Sequence, residues 1–182
     1  MEFIIFGVIL LMIVGFVVSC YNGFIKMKLK CEEAFSTMDV YLKKRFDLIP
    51  NLVETVKGYA KHEKETLQDV VDARASIGNA SNNADKFKAE DALSNALSKL
   101  MMIHEAYPDL KANAQFLDLQ AQLKEVEDGI LSSRKYYNAI VTTYNTAILV
   151  FPKNIIAMIF KFDKFDLYEI VEEQRENVEI KF

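Results

Sequence analysis

Residues 43–63, KKRFDLIPNLVETVKGYAKHE, decide how the chain is read. Phe46, Ile49, Leu52, Val53, Val56, Tyr59 and Ala60 recur at three- and four-residue intervals, the spacing that gathers side chains onto one stripe of an α-helix. Pro50 interrupts that stripe, removing one backbone donor and freeing the carbonyl four residues back, on Phe46, to seek another. The expectation is a core-facing helix kinked near Pro50, with a side-chain donor brought to Phe46 from elsewhere.

Outward from this stretch the same period holds. Upstream, Phe35, Met38 and Leu42 are in register, and downstream Leu67 and Val70 continue it, so the pattern reads as helical from about Met27 to Gly78. The run NASNN at residues 79–83 has nothing apolar to bury and marks a break. A further stripe, Phe87, Leu93, Leu97, Leu100, His104 and Tyr107, ends at Pro108, which disfavours the α region for the residue before it. Asp109 and Asn113 are candidate caps for a last long helix, about Lys111 to Leu149, stopped by Pro152. With six Gly and three Pro in 182 residues there are few tight turns, which favours long helices over many short strands.

Residues 3–20, FIIFGVILLMIVGFVVSC, carry no charge, and with Tyr21 and Asn22 they reach the roughly 20 residues that cross a bilayer's hydrocarbon core. Lys26, Lys28 and Lys30 follow and no Lys or Arg precedes, so the positive-inside rule puts the amino terminus outside and the rest in the cytoplasm. The alternatives are a cleaved signal peptide and a lipoprotein, both of which want a basic n-region that MEF does not supply; Val17-Val18-Ser19-Cys20 does resemble a lipobox, which would anchor an exported domain through Cys20. The expected organisation is all-α: a transmembrane anchor over residues 1–25, a bundle of long antiparallel helices over 26–162, and a tail over 163–182. In the segment after Pro152, Phe160, Phe162 and Phe165 form a candidate association surface, the competing reading being that they cap the domain's own core.

Little in the chain points to chemistry. A net charge of −4 argues against nucleic acid. Cys20 and Cys31 are too few for a disulfide framework, and eleven helical residues separate them by roughly 16 Å. A bundle di-metal site needs Glu-x-x-His pairs, but Tyr59 and Met101 stand three residues before His62 and His104. No nucleophile elbow, Walker loop or C-x-x-C occurs, so no catalytic, cofactor-binding or metal residues are assigned and the chain is read as no enzyme. The polar residues beside the stripes say more. Arg45, Asp47, Asn51 and Glu54 bracket Pro50, while Tyr137-Asn138 and Tyr144-Asn145 repeat at seven residues with Arg134 close by, in reach of an acid such as Asp47 or Glu54. Together they are expected to form a polar layer that fixes helix register.

These same residues carry a family likeness. YNGFIKMKLKCEEAF, DVYLKKRFDLIPNLVETVKGYAKHEKETL, AYPDLKANAQFLDLQAQLKEVEDGI and SRKYYNAIVTTYNTAILVFPKNIIA resemble the LemA family of bacterial membrane proteins from about Tyr21 to Ala157. The resemblance implies a membrane anchor followed by long α-helices, with no enzymatic activity and no cofactor. It also implies company: relatives in magnetosome-forming bacteria are associated with making internal membranes, and others are found beside membrane metallopeptidases. Two functions follow as expectations, a membrane-anchored scaffold that self-associates or recruits partners, and alternatively a ligand-binding or sensory module with a polar pocket at Pro50. An unrecognised hydrolase would require a cleft holding a carboxylate of strongly raised pKa.

Overall fold

α1 runs unbroken from Glu2 to Tyr59 and passes through Pro50 as a helix. The computed structural model describes residues 1–168, which contain five further helices: α2 Lys64–Gly78, α3 Asn83–Ile103, α4 Pro108–Lys111, α5 Ala114–Leu149 and α6 Lys153–Ile159. The described chain is all-α. It divides into two compact units, one made of Met1–Thr37 with Ser133–Leu167, the other of Met38–Ser132 with Tyr168.

In the second unit the cross-contacts define an up-and-down arrangement. Arg45 meets Glu127 and Asn113 meets Tyr59, so α5 runs antiparallel to this part of α1. Lys86 pairs with Asp39 while Arg45 reaches Glu90 and Ser94, so α3 runs parallel to it. Phe46 meets Arg74, and Lys99 lies beside Asp69, which sets α2 against both in the opposite sense. The core is Ile49, Leu52 and Val56 of α1 with Leu67, Val70, Leu93, Leu97, Phe116 and Leu119. Burial of these stripes supplies the main driving force, at about 25 cal/mol per Å² of apolar surface. α1 approaches α5 closely at Gly129, where a Cβ would stand 2.4 Å from the Tyr41 ring.

The periodic run from Met27 to Gly78 is two helices. The chain turns at residues 60–63, closed by the Glu63 amide on the Ala60 carbonyl at 3.1 Å. Leu67 and Val70 keep the apolar register but bury it on a helix that doubles back. Pattern alone misses this turn because Ala60 and Leu67, seven residues apart, keep the helical spacing across it. The other punctuation is where the composition put it: Asn82 caps α3 by accepting from the Asp85 amide, and Asn113 caps α5 by accepting from the Phe116 amide, both at 2.8 Å. Asp109 lies inside the short α4, whose cap position is Tyr107.

In the first unit α5 and its continuation return along α1. Phe35 faces Tyr137 with ring centres 5.9 Å apart, Phe24 faces Phe162 at 5.1 Å, and Tyr21 faces Phe160 at 4.9 Å. Rising numbers on one side match falling numbers on the other, the signature of antiparallel packing. Below this zone the apolar run is bare: Phe3 is 92% exposed and Leu11 73%. Among the described residues this is the one helix long and apolar enough to cross a membrane.

Candidate functional site

The most heavily invested polar group is Arg45. It sits on the core-facing side of α1 with no exposed surface. Its Nη1 donates to Ser94 Oγ at 2.6 Å and to Glu127 Oε1 at 2.8 Å, and its Nη2 donates to Glu90 Oε2 at 2.5 Å and to the Glu90 carbonyl at 3.2 Å. One guanidinium fork thus joins α1, α3 and α5. Burial alone would lower the Arg45 pKa, but Glu127 and Glu90 outweigh it and hold the group charged. For Glu90 the balance goes the other way: burial raises its pKa against the pull of Arg45 and Lys86.

A second device sits one proline away. Arg74 Nε donates to the Phe46 carbonyl at 3.2 Å, and its guanidinium lies 3.8 Å from the centre of the Phe46 ring. Pro50 removed the amide that would have bonded this carbonyl, and α2 supplies the replacement. The same arginine gains a cation–π contact from the residue it serves.

In the first unit the repeated Tyr-Asn pairs act on the segment after α6. Tyr137 Oη donates to the Asp166 carbonyl at 2.8 Å and Tyr144 Oη to the Asp163 carbonyl at 3.0 Å. The Asn145 amide clamps Phe165 from both sides, accepting from its N–H at 3.0 Å and donating to its carbonyl at 2.9 Å. Burial, then the nearby Cys31 thiol and Asp166, push the Tyr137 phenol up to about 12. Burial likewise raises the Cys31 thiol, with Glu32 adding to it.

The family model described as "LemA family" matches residues 34–182. The chain belongs to the LemA family. This LemA-family chain is 26% identical to Protein LemA of Metamycoplasma hominis over 179 residues, covering 97% of the chain and 80% of that protein. It is 27% identical to Magnetosome protein MamQ of Magnetospirillum gryphiswaldense over 174 residues, covering 81% of the chain and 64% of that protein. Magnetosome protein MamQ 2 of Paramagnetospirillum magneticum is 26% identical over 175 residues, at 82% and 64%. The match thus spans just under two thirds of the magnetosome relatives' length.

The residues expected to form one polar layer are distributed differently. Arg45 is at its centre, but Asp47 and Glu54 lie on the exposed face of α1, paired along the helix with Lys43 and Lys57. Asn51 and Pro50 are exposed beside them. The acids that meet Arg45 are Glu90 and Glu127 instead. Arg134 and Asn138, both half-buried, belong to the other unit, as does Asn145, whose clamp holds the chain after α6 rather than the register between two helices. Phe162 and Phe165 are half-buried, against Tyr21 with Phe24 and against Tyr144, while Phe160 keeps 46% exposure. The tail from residue 169 onward lies outside the described residues.

The signal that the LemA-family sequence does carry for these partners is the polar interruption of two apolar stripes. Phe87, Glu90, Ser94, Leu97 share one face of α3, and Leu123, Glu127, Ile130 one face of α5. An acid in such a position calls for a buried partner. Arg74 left no comparable trace, since its task is set by a proline on another helix. His104 is half-buried against Phe116 at 5.8 Å, with Nδ1 on the Met101 carbonyl, and His62 is exposed. No group of three or more His, Cys, Asp or Glu suited to a metal occurs among the described residues. The one carboxylate with a raised pKa in this layer, Glu90, is 2% exposed and bound by Arg45, so it offers no atom to a substrate.

Proposed function

We propose that the chain is a single-pass, membrane-anchored helical scaffold that self-associates or recruits partner proteins at the membrane. The observation that carries this reading is the bare apolar run of α1: 6% of its most apolar 18-residue window is buried inside the protein. A helix so apolar and so unpartnered needs lipid. In the second unit its continuation packs into helices whose buried guanidinium, Arg45, is engaged by Glu90 and Glu127. Such a structure presents faces and holds them in place. Lys26, Lys28 and Lys30 after the span support an orientation with the amino terminus outside and the helices in the cytoplasm.

Two relatives bear the word magnetosome in their names, and with that likeness the reading extends to membrane organisation. A sensory pocket at Pro50 finds less support, because the polar groups there already have partners: the Phe46 carbonyl has Arg74, and Asp47 has Lys43.

The test is the mass of the full-length protein extracted in mild detergent, together with whatever copurifies. The scaffold reading expects a defined oligomer or a stoichiometric partner. A chain that stays monomeric at all concentrations and brings no other protein sinks it.

A further inference from the structure

α6 has two apolar faces. Ile156 and Ala157 are buried, while Ile155, Met158 and Ile159, at i, i+3 and i+4 on the opposite side, are 45%, 73% and 66% exposed. A solvated helix would carry charges there. The turn that leads into α6 continues the bare surface, with Leu149 and Val150 about half exposed and Phe151 75%.

The position of this corner says what covers it. α5 returns antiparallel along α1, and Tyr137 lies opposite Phe35. Twelve residues later on α5 is Leu149, and twelve earlier on α1 is Gly23; at 1.5 Å per residue both helices have advanced about 18 Å. The corner therefore comes level with the end of the apolar run. Two contacts bear this out, Tyr21 to Phe160 at 4.9 Å and Phe24 to Phe162 at 5.1 Å. Just behind, Lys28, Lys161 and Lys164 line one small hollow together with Asp163. Lys28 is eight residues past Cys20, about 12 Å along the axis, and its side chain leans back toward the helix amino terminus and so toward the membrane.

We propose that the α5–α6 corner is a second membrane contact of this unit: its bare apolar face beds into the interfacial zone of an anionic bilayer, and Lys28, Lys161 and Lys164 meet the lipid phosphates. The occupant is lipid because the face is continuous with a surface that itself needs lipid, and because cations stand where the headgroups begin. This rests on the reading of residues 3–20 as a membrane span. Two anchoring points on one unit hold it against the bilayer, which a single swivelling helix does not.

The chain contains no tryptophan, so one introduced residue reports its own depth. Three single variants of the full-length protein are reconstituted in phosphatidylcholine–phosphatidylglycerol vesicles: Met158→Trp at the corner, Leu11→Trp in the span, and Met102→Trp on exposed α3. Each is read with lipids carrying a nitroxide near the headgroup or near the acyl-chain end. The expected result is blue-shifted emission for Met158→Trp with stronger quenching by the shallow nitroxide. Leu11→Trp is quenched more strongly by the deep one, and Met102→Trp by neither. In pure phosphatidylcholine, or with Lys161→Gln and Lys164→Gln, the shallow quenching at the corner falls. A quenched Leu11→Trp beside an unquenched, water-like Met158→Trp overturns the proposal while the span stands. Absence of quenching at both positions removes the span and the proposal with it. A Met158→Trp emission that is blue-shifted but unquenched, and grows with protein density, assigns the face to a second copy and overturns the lipid contact.

Discussion

Replacing Arg45 by methionine removes the guanidinium that joins three helices while keeping most of the side-chain volume. Glu90 then stands at 2% side-chain exposure with no counter-charge, whereas Glu127, at 38%, reaches water. The loss therefore falls almost wholly on Glu90, and breaking such a buried pair from one side costs about 3–5 kcal/mol. The Glu127 arm adds only about 0–1 kcal/mol, because its carboxylate keeps water when Arg45 is gone. Against an ordinary total stability of about 5–15 kcal/mol this is a large change. It is measured by urea unfolding of the full-length protein in mild detergent, followed by far-UV circular dichroism. Arg45→Met with Glu90→Leu recovers most of the loss, because no orphaned charge remains. Asp47→Ala, on the exposed face, shifts stability by no more than about 0.5 kcal/mol. The loss also depends on pH with a definite sign. Burial already raises the Glu90 pKa from its ordinary 4.5, and without Arg45 it rises further. A group raised on folding gives its full stabilisation below the unfolded value and loses it as pH rises through the folded one. The Arg45→Met deficit therefore widens from acid toward neutral pH. If Arg45→Met costs no more than Asp47→Ala, or its deficit is flat with pH, the buried-pair account is wrong.

Two further outcomes follow from the same contacts. Arg74→Ala leaves the Phe46 carbonyl without its side-chain donor and costs about 1–3 kcal/mol; in a Pro50→Ala background, where the residue-50 amide returns, the cost shrinks. Equal costs in both backgrounds, from the same unfolding assay, would break the link between proline and arginine. Tyr137, its phenol pushed up to about 12 by burial, is among the last tyrosines to ionise in an ultraviolet titration, and Tyr137→Phe deletes that late step. Since its pKa is raised on folding, the stability Tyr137 contributes is intact below its ordinary value of 10 and is lost as pH climbs through 12.

Much of the architecture was legible from local pattern. Period-3.6 stripes named the helices, NASNN and Pro152 named their ends, and Asn113 was recognisable as a cap because capping needs only neighbours in the chain. The span in α1 needed only length and the absence of charge. Pro50 even announced a need, a donor for the Phe46 carbonyl. What local pattern left open was who answers. Arg74 answers because α2 turns back at residues 60–63, a reversal too short to disturb the stripe.

The polar layer shows the same division. Arg45 sits at an inward position of α1, which its spacing to Leu42, Ile49 and Leu52 displays. The neighbouring Asp47, Asn51 and Glu54 are close in sequence but fall on the exposed side of the helix, so nearness along the chain does not make them partners of Arg45. Glu90 and Glu127 lie 45 and 82 residues away and become partners only when three helices pack. The Tyr-Asn repeat likewise fixed one face of α5, whereas its use, holding the chain at residues 163–166, depends on where the turn after α5 sends that segment. Sequence by itself determined which faces must be buried, where the backbone lacks a donor, and which stretch is long and apolar enough to cross a membrane, since these follow from side-chain period, composition and covalent structure. Tertiary packing alone decided which distant groups meet those needs, because burial turns an unpaired charge or carbonyl into a demand that only a neighbouring helix can satisfy.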